Sequence, residues 1–182
     1  MNSYSLFNIF TTKKVSKITS QDVKVISLIY DSYYLKKMTL QEFLIPQGYV
    51  KIKLKFTKTN HFEINASING IKGKFILDTG ASNSCIGFDS VETFNLKVED
   101  SDVKAAGAGA TDMLTKISKK NVVKIGKWEK DKVALILFNL TYVNTALINH
   151  NSNPVDGIIG ADILKKGNAI IDYQKKQLYL KL

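Results

Sequence analysis

Apolar residues alternate with lysine along Val50-Lys51-Ile52-Lys53-Leu54-Lys55-Phe56. A period of two marks a strand with one buried face and one wet face, so these lysines read as a strand's solvent side. The chain turns over 57–60, and 61–68 predict a second strand. Asn69-Gly70 follows, a two-residue hairpin signal because both positions tolerate positive φ. Residues 71–77 predict a third strand. Asp89-Ser90-Val91-Glu92 predicts a short capped helix running to about Phe94. Residues 103–114 are rich in alanine and glycine and predict a mobile hairpin tip. Residues 113–125 and 133–140 are β-rich and flank a turn over 126–131. A loop is expected at 149–153, then a short helix over 161–166 with Gly167 as its C-cap. Two last strands, 169–173 and 178–182, close the chain.

The first 37 residues differ. They hold no glycine and no proline, and Val23, Ile26, Ile29, Tyr30, Tyr33 and Tyr34 recur at about helical spacing, with Ser20 or Asp22 as a cap. Three readings stand: a helix appended to the domain, a removable or regulatory segment, or a stretch upstream of a start at Met38. From there Thr39-Leu40-Gln41-Glu42 forms a capping box, Leu40, Phe43 and Leu44 give an apolar face, and Pro46 and Gly48 end the helix. The expected organisation is a partly helical extension over 1–37 and one domain over 38–182. Many short strands with two or three short helices predict a mainly β, closed-barrel domain.

Charge and composition narrow the function. The 182-residue chain carries a net charge of +10, and all 26 of its basic residues are lysine. The lack of arginine argues against nucleic-acid recognition, which leans on its bidentate fork. A lysine-rich solvated surface explains the charge better. Cys85 is the one cysteine, which excludes an intramolecular disulfide and a cysteine zinc site; with His61 and His150 the only histidines, no metal centre is expected. No window of about 18 apolar residues predicts a spanning helix. The first residues lack a basic start, an unbroken apolar core and a cleavage site, so a cytoplasmic protein is expected.

The informative segment is Phe75-Ile76-Leu77-Asp78-Thr79-Gly80-Ala81-Ser82. Alone, Asp-Thr-Gly can be a turn that closes a strand. Here the acid directly follows three large apolar residues, at the edge of a core where desolvation acts on a carboxyl. Some 80 residues on, Gly157-Ile158-Ile159-Gly160-Ala161-Asp162-Ile163-Leu164 repeats the theme of an apolar strand ending in glycine. Together these segments resemble the aspartic proteases, specifically the single-domain retropepsin-like family related to retroviral proteases, over roughly residues 48–182.

The resemblance implies a retropepsin-like closed barrel, a flap hairpin, and a loop around Asp78 wrapped by a ψ-loop and braced by Ile158, Ile159 and Gly160. It implies an aspartic endopeptidase acting on an extended peptide, without metal or organic cofactor. Asp78 is the implied catalytic residue. Thr79 matches the threonine that bonds across a dimer, Gly80 the glycine that offers backbone groups to substrate, and Ala81 and Ser82 complete the loop. Ala106, Gly107, Ala108 and Gly109 match the flap. Ile86, Phe88 and Ile158 are expected in apolar pockets, and 178–182 resembles the strand that joins a dimer sheet. Two like charges about 3 Å apart cannot both ionise, so such a site needs two carboxylates sharing a proton. One Asp-Thr-Gly occurs, so a homodimer is expected to supply the second copy of Asp78.

One feature departs from the family pattern. Gly160-Ala161-Asp162 lacks the arginine usual after the isoleucine pair. Asp162 therefore reads as a cap or brace of its helix, Asp156 as a turn acid and Cys85 as a small buried hydrophobe. Two competing classes remain: a catalytically silent protease-like module for peptide binding or dimerisation, and a lysine-rich nucleic-acid-binding barrel. Intact Asp78, Thr79 and Gly80 weigh against the first, and the lack of stacking aromatics on one strand face weighs against the second.

Overall fold

The structure, a computed structural model, describes residues 19–101, 105–107 and 110–182. The chain divides between Phe43 and Leu44 into two compact units. The first holds an 18-residue helix, Ser20–Lys37 (α1), on which Tyr30 and Tyr34 stack 6.3 Å apart. Helix α1 begins after Thr19, so Ser20 and Asp22 lie inside it rather than before it. The next helix, Leu40–Leu44 (α2), starts on the expected capping box. Glu42 Oε2 accepts from the Thr39 N–H at 2.8 Å, and Thr39 Oγ1 accepts from the Glu42 N–H at 3.2 Å. A 3₁₀ turn over Ile45–Gln47 ends at Gly48, which is left-handed at φ 86°.

The second unit begins with strands Tyr49–Lys53 (β1) and Lys55–Phe56 (β2). Lys51, Lys53 and Lys55 face solvent while Ile52 and Leu54 are buried, as the alternation predicts. Strands Phe62–Ile68 (β3) and Ile71–Leu77 (β4) form a hairpin across Asn69-Gly70, at φ 52° and 85°. Then come Cys85–Gly87 (β5), Val98–Asp100 (β6), Ala105–Gly107 (β7), Ala110–Met113 (β8), Lys116–Ile125 (β9) and Trp128–Phe138 (β10). Helix Thr141–Asn149 (α3), strand Gly157–Ile159 (β11), helix Ala161–Lys166 (α4) and strands Ile170–Asp172 (β12) and Gln177–Lys181 (β13) complete the chain.

Six strands close on themselves in the order β3-β4-β11-β5-β10-β9, with β9 returning to β3 through Ser67↔Lys124 and Ile68↔Val123. The mainly β closed barrel expected from the sequence is therefore what the chain forms. Strand β2 extends the sheet from β3, and β6 extends it from β9. Inside, Ile64, Ile68, Phe75, Ile86, Val123, Ile125, Leu135, Leu137, Ile159 and Ile163 pack as one core. A side chain of this size stabilises by about 1.5–3 kcal/mol when fully buried. A separate sheet takes the order β1-β13-β12, and β7 pairs with β8 as a two-stranded ladder.

Several expectations change. The Asp89 segment forms a 3₁₀ turn over Phe88–Ser90 without a side-chain cap, because its N-cap position is Gly87; Ser90 Oγ bonds Asp156 Oδ1 at 3.3 Å. The turn after β9 is only Gly126-Lys127. Trp128 opens β10 and is buried in the core. Helix α3 occupies a stretch between 133–140 and 149–153 for which the sequence pattern predicts no element. Asn139 Oδ1 accepts from the Thr141 N–H at 2.8 Å at its start, and Asn144 grips Val155 through both backbone groups. Gly167 follows α4 as expected, but at φ −90°. Space rather than handedness requires it: a Cβ there would lie 2.7 Å from Leu180 Cδ2. The left-handed residue is Asn168, at φ 43°.

Candidate active site

The site is built where two parallel strands end side by side. Strand β11 inserts between β4 and β5. It runs parallel to β4, with Ile158↔Ile76 and Ile159↔Leu77, and antiparallel to β5, with Ile158↔Cys85. The chain leaving β4 must therefore loop around the end of β11 to reach β5. That loop is residues 78–84, which holds the Asp-Thr-Gly segment. The loop thus wraps the end of β11, where Ile158-Ile159-Gly160 lies.

Four sets of bonds fix the loop to the end of β11. The Asp78 N–H donates to Ile159 O at 3.0 Å, and the Ala161 N–H donates to Ala81 O at 2.8 Å. The Gly160 N–H donates to Ser84 Oγ at 2.8 Å. Ser84 in turn donates to Asp162 Oδ1 from its N–H at 2.8 Å and its hydroxyl at 2.6 Å. Ser84 is fully buried and serves as both acceptor and donor, so its hydroxyl links the two arms. Gly160 is glycine because a Cβ would meet Ala81 O at 2.7 Å and Asn83 O at 2.8 Å. At Gly157 a Cβ would run into the Cys85 carbonyl oxygen.

The clamp holds the loop at Asp78, Ala81 and Ser84 and leaves the residues between them open. Asp78 is half-buried, Thr79, Gly80 and Ser82 are exposed, and Ala81 lies between these states. Asp78 Oδ1 accepts from the Gly80 N–H at 2.8 Å, which fixes the carboxylate's rotamer and leaves Oδ2 outside that bond. Gly80 does not take positive φ. Its constraint is the Asp78 carboxylate, 3.2 Å from where a Cβ would sit. Beside Thr79 opens a cleft of about 520 Å³, lined by Ala161, Leu164, Lys165, Asn168, Ala169 and Ile171.

The other acids near this region are committed elsewhere. Asp162 accepts from Ser84 rather than capping α4, so of its two expected roles the structure selects the brace. Asp156 accepts from the Lys74 N–H at 2.8 Å and ties β4 to the approach of β11. Cys85 is buried beneath the loop. Desolvation first, then the charges of Asp162 and Asp78, push its thiol up to about 12, opposed by a hydrogen bond with the Ile158 backbone. It is a small core residue and not a nucleophile.

The remaining candidates separate. Ile159 and Gly160 are buried under the loop. Ile158 packs in a second cluster with Ile76, Leu147 and Val155. Ile86 sits in the barrel core at 1% exposure and cannot line a pocket, whereas Phe88 is exposed at 38%. Ala106 and Gly107 belong to β7, and Gly107 stands opposite Ala110 in the β7–β8 ladder. Ala108 and Gly109 lie outside the described residues. The strand at 178–182 does not offer an edge: β13 is the middle of its sheet, flanked by β1 and β12. Among the described residues no group of three or more His, Cys, Asp or Glu side chains could hold a metal ion. Among them, too, no helix is long and apolar enough to cross a membrane.

Ser84 is the residue that sequence reasoning missed. Its partners lie 76 and 78 positions away, and a lone serine gives no local signal.

Residues 64–163 match the model of a family described as aspartyl protease. No curated protein matches. Similar solved structures include a retropepsin-like aspartic protease from Rickettsia conorii, 23% identical, covering 73% of this chain and 89% of that one, with a TM-score of 0.46. The retroviral protease-like domain of Ddi1 from Leishmania major is 22% identical over 69% of this chain and 90% of that one, with a TM-score of 0.46. EIAV protease in complex with the inhibitor HBY-793 is 18% identical over 60% and 90%, also with a TM-score of 0.46.

Proposed function

The chain belongs to the aspartyl protease family, and we propose that it is an aspartic endopeptidase whose site is completed by a second copy of itself. The observation that carries this reading is the state of Asp78. It stands half-buried on a clamped loop with one oxygen fixed by the Gly80 N–H, while Asp162 is bound to Ser84. One chain thus offers one carboxylate. A second Asp78, brought in by a symmetric homodimer, supplies the other.

In the paired site one carboxylate takes a proton from a water, and the water oxygen attacks the scissile carbonyl carbon. The other carboxyl, protonated, donates to the carbonyl oxygen as it gains charge. The tetrahedral intermediate then collapses. The C–N bond breaks as the leaving nitrogen takes up a proton, and an acid and an amine are released. Thr79 and Gly80, exposed beside Asp78, would meet the partner copy and the substrate backbone. Ala81 and Ser82 continue the loop, and Ile158, Ile159 and Gly160 support it from below. The peptide would bind as an extended strand, with main-chain hydrogen bonds. The β7–β8 ladder, with Ala106, Gly107, Ala108 and Gly109, would close over it as a flap and exclude water. No metal or organic cofactor enters the scheme, and the cytoplasm is the proposed location.

The test compares wild type with Asp78→Asn on a diverse peptide mixture, from acid to neutral pH and at several protein concentrations. A shared proton requires that activity fall once both carboxylates ionise, so an acidic to near-neutral optimum is expected. Cleavage by wild type alone, with specific activity rising with concentration, supports the reading. No cleavage by folded wild type at any concentration would replace it with a silent peptide-binding or dimerisation module.

A further inference from the structure

We infer that helix α3 decides which side chain can lie beside Asp78. Its Val143 and Leu147 fill, from within the chain, the apolar strip that Ile76 and Ile158 form next to that acid. A peptide cut there therefore carries small residues, not bulky ones, next to the scissile bond. The inference deepens the reading of Asp78 as a catalytic acid and rests on it.

The strip follows from strand geometry. Side chains alternate along β4, and the Asp78 N–H extends the β4–β11 ladder by donating to Ile159 O. Phe75 and Leu77 enter the barrel core, so Ile76 and Asp78 project to the opposite side, about 7 Å apart along the strand. Ile158 stands in register beside Ile76 on β11, while Ile159 turns into the core. A peptide whose carbonyl reaches Asp78 lays a neighbouring side chain toward Ile76 and Ile158.

That place is taken. Ile76, Leu147 and Val155 are buried together, with Val143 and Ile158 packed against them, as a cluster separate from the barrel core. Val143 and Leu147 lie about one turn apart and share a face of α3. Tyr142 and Ile148 turn away from it, 73% and 55% exposed. The open cleft beside Thr79 has none of Ile76, Ile158, Val143 and Leu147 in its lining. The apolar pocket expected at Ile158 is thus closed by the chain's own helix.

Bonds that do not involve the filling side chains hold the helix there. Asn144 Nδ2 donates to Val155 O at 3.1 Å, and Asn144 Oδ1 accepts from the Val155 N–H at 2.9 Å. The Ser152 N–H donates to the Leu147 carbonyl at 2.8 Å. Shortening Leu147 or Val143 therefore opens space and leaves α3 in place. A single methylene in an apolar pocket changes an enzyme's choice of substrate by about 10- to 200-fold, and Leu147 occupies more than that. In a symmetric pair each copy brings its own filled strip, so the restriction applies on both sides of the scissile bond.

Fluorescent peptides of varied sequence, with either two alanines or two phenylalanines at the centre, test this on the full chain. Cleavage is read by mass spectrometry and binding by anisotropy. The proteins are wild type, Leu147→Ala, the milder Val143→Ala and the surface control Ile148→Ala, each checked for folding by circular dichroism. Wild type and Ile148→Ala should favour the alanine peptides at least about tenfold in kcat/KM. Leu147→Ala should gain about tenfold on the phenylalanine peptides, mainly through KM, and Val143→Ala less. Equal use of both sets by wild type, or an unchanged preference in whichever filling-residue variant folds, overturns the inference. Peptides bound but not cut sink the protease reading alone, and the same preference is then read from the binding constants. Peptides neither cut nor bound by folded wild type sink both.

Discussion

Strands β4 and β11 lie side by side, point the same way and end in the same register, yet they finish differently. After Leu77 the chain continues as Asp78-Thr79-Gly80, with Asp78 half-buried and Thr79 and Gly80 exposed. After Ile159 it continues as Gly160-Ala161-Asp162, and its groups face inward. The Gly160 N–H goes to Ser84 Oγ, the Ala161 N–H to Ala81 O and the Asp162 carboxylate to Ser84. One strand end carries the proposed catalytic acid and the other holds the first in place. The chain repeats a strand-and-glycine theme without repeating the acid directly after the strand, which is why the proposed protease calls for a second copy.

The largest break in this comparison comes from giving the bracing end a side chain. Gly160→Ala sets a Cβ against two carbonyl oxygens within 2.8 Å. Overpacking against backbone should cost about 3 kcal/mol, read as a lower urea midpoint with an unchanged slope. Activity should fall further than stability, because the displaced segment carries Asp78.

Ser84→Ala comes next. It removes the hydroxyl that joins the arms, and leaves the Gly160 N–H without that acceptor and Asp162 with one donor fewer. The expected loss is about 2 kcal/mol by denaturant titration. Ser84→Thr keeps the hydroxyl and should recover part of it.

A smaller effect sharpens the other arm. Folded Asp78→Asn protein, added in tenfold excess to wild type, should lower wild-type turnover about tenfold once subunits exchange, because most wild-type chains then sit in mixed pairs. Undiminished turnover, with exchange shown by cross-linking, would mean that one Asp78 suffices.

The smallest concerns the thiol beneath both ends. Burial raises the Cys85 thiol to about 12. In the native protein at pH 8 it should resist iodoacetamide and react only after unfolding. The sign for stability follows from proton counts. Below 9.0 both states hold the proton and there is no effect. Between 9.0 and about 12 the unfolded chain loses its proton while the native chain keeps it, so stability falls as pH rises. Cys85→Ala should flatten that part of the profile.

How much of this was legible in the sequence depends on how far apart the partners lie. The hairpin at Asn69-Gly70 and the capping box at Thr39 are signals within four residues, and both form as read. The loop at Asp78 was legible because its apolar run, acid and glycine are contiguous. Ser84 was not, because its meaning depends on Gly160 and Asp162. The role of 178–182 was misread for the same reason. Its pairing partner β1 lies near the other end of the domain, and no local pattern says that both its edges are taken. Helix α3 was hidden by Thr141, Tyr142 and Val143, residues that favour strands; contact with Val155 overrides that preference.

Asn69 closes the barrel. Its side chain donates to Phe94 O and Asn121 Oδ1, and it accepts from the Val122 N–H. The pairs made there span 52 and 53 residues of sequence, and the β3–β9 ladder beside them spans as much. The β3–β4 hairpin can form within microseconds, but the seam must wait until more than 50 residues of chain have been gathered. Folding of this chain is therefore a slow closure, on the millisecond-to-second scale of non-local β topologies. Until that seam forms, β3 and β9 each keep an edge unpaired, and an unpaired strand edge is exposed to pairing with the wrong neighbour.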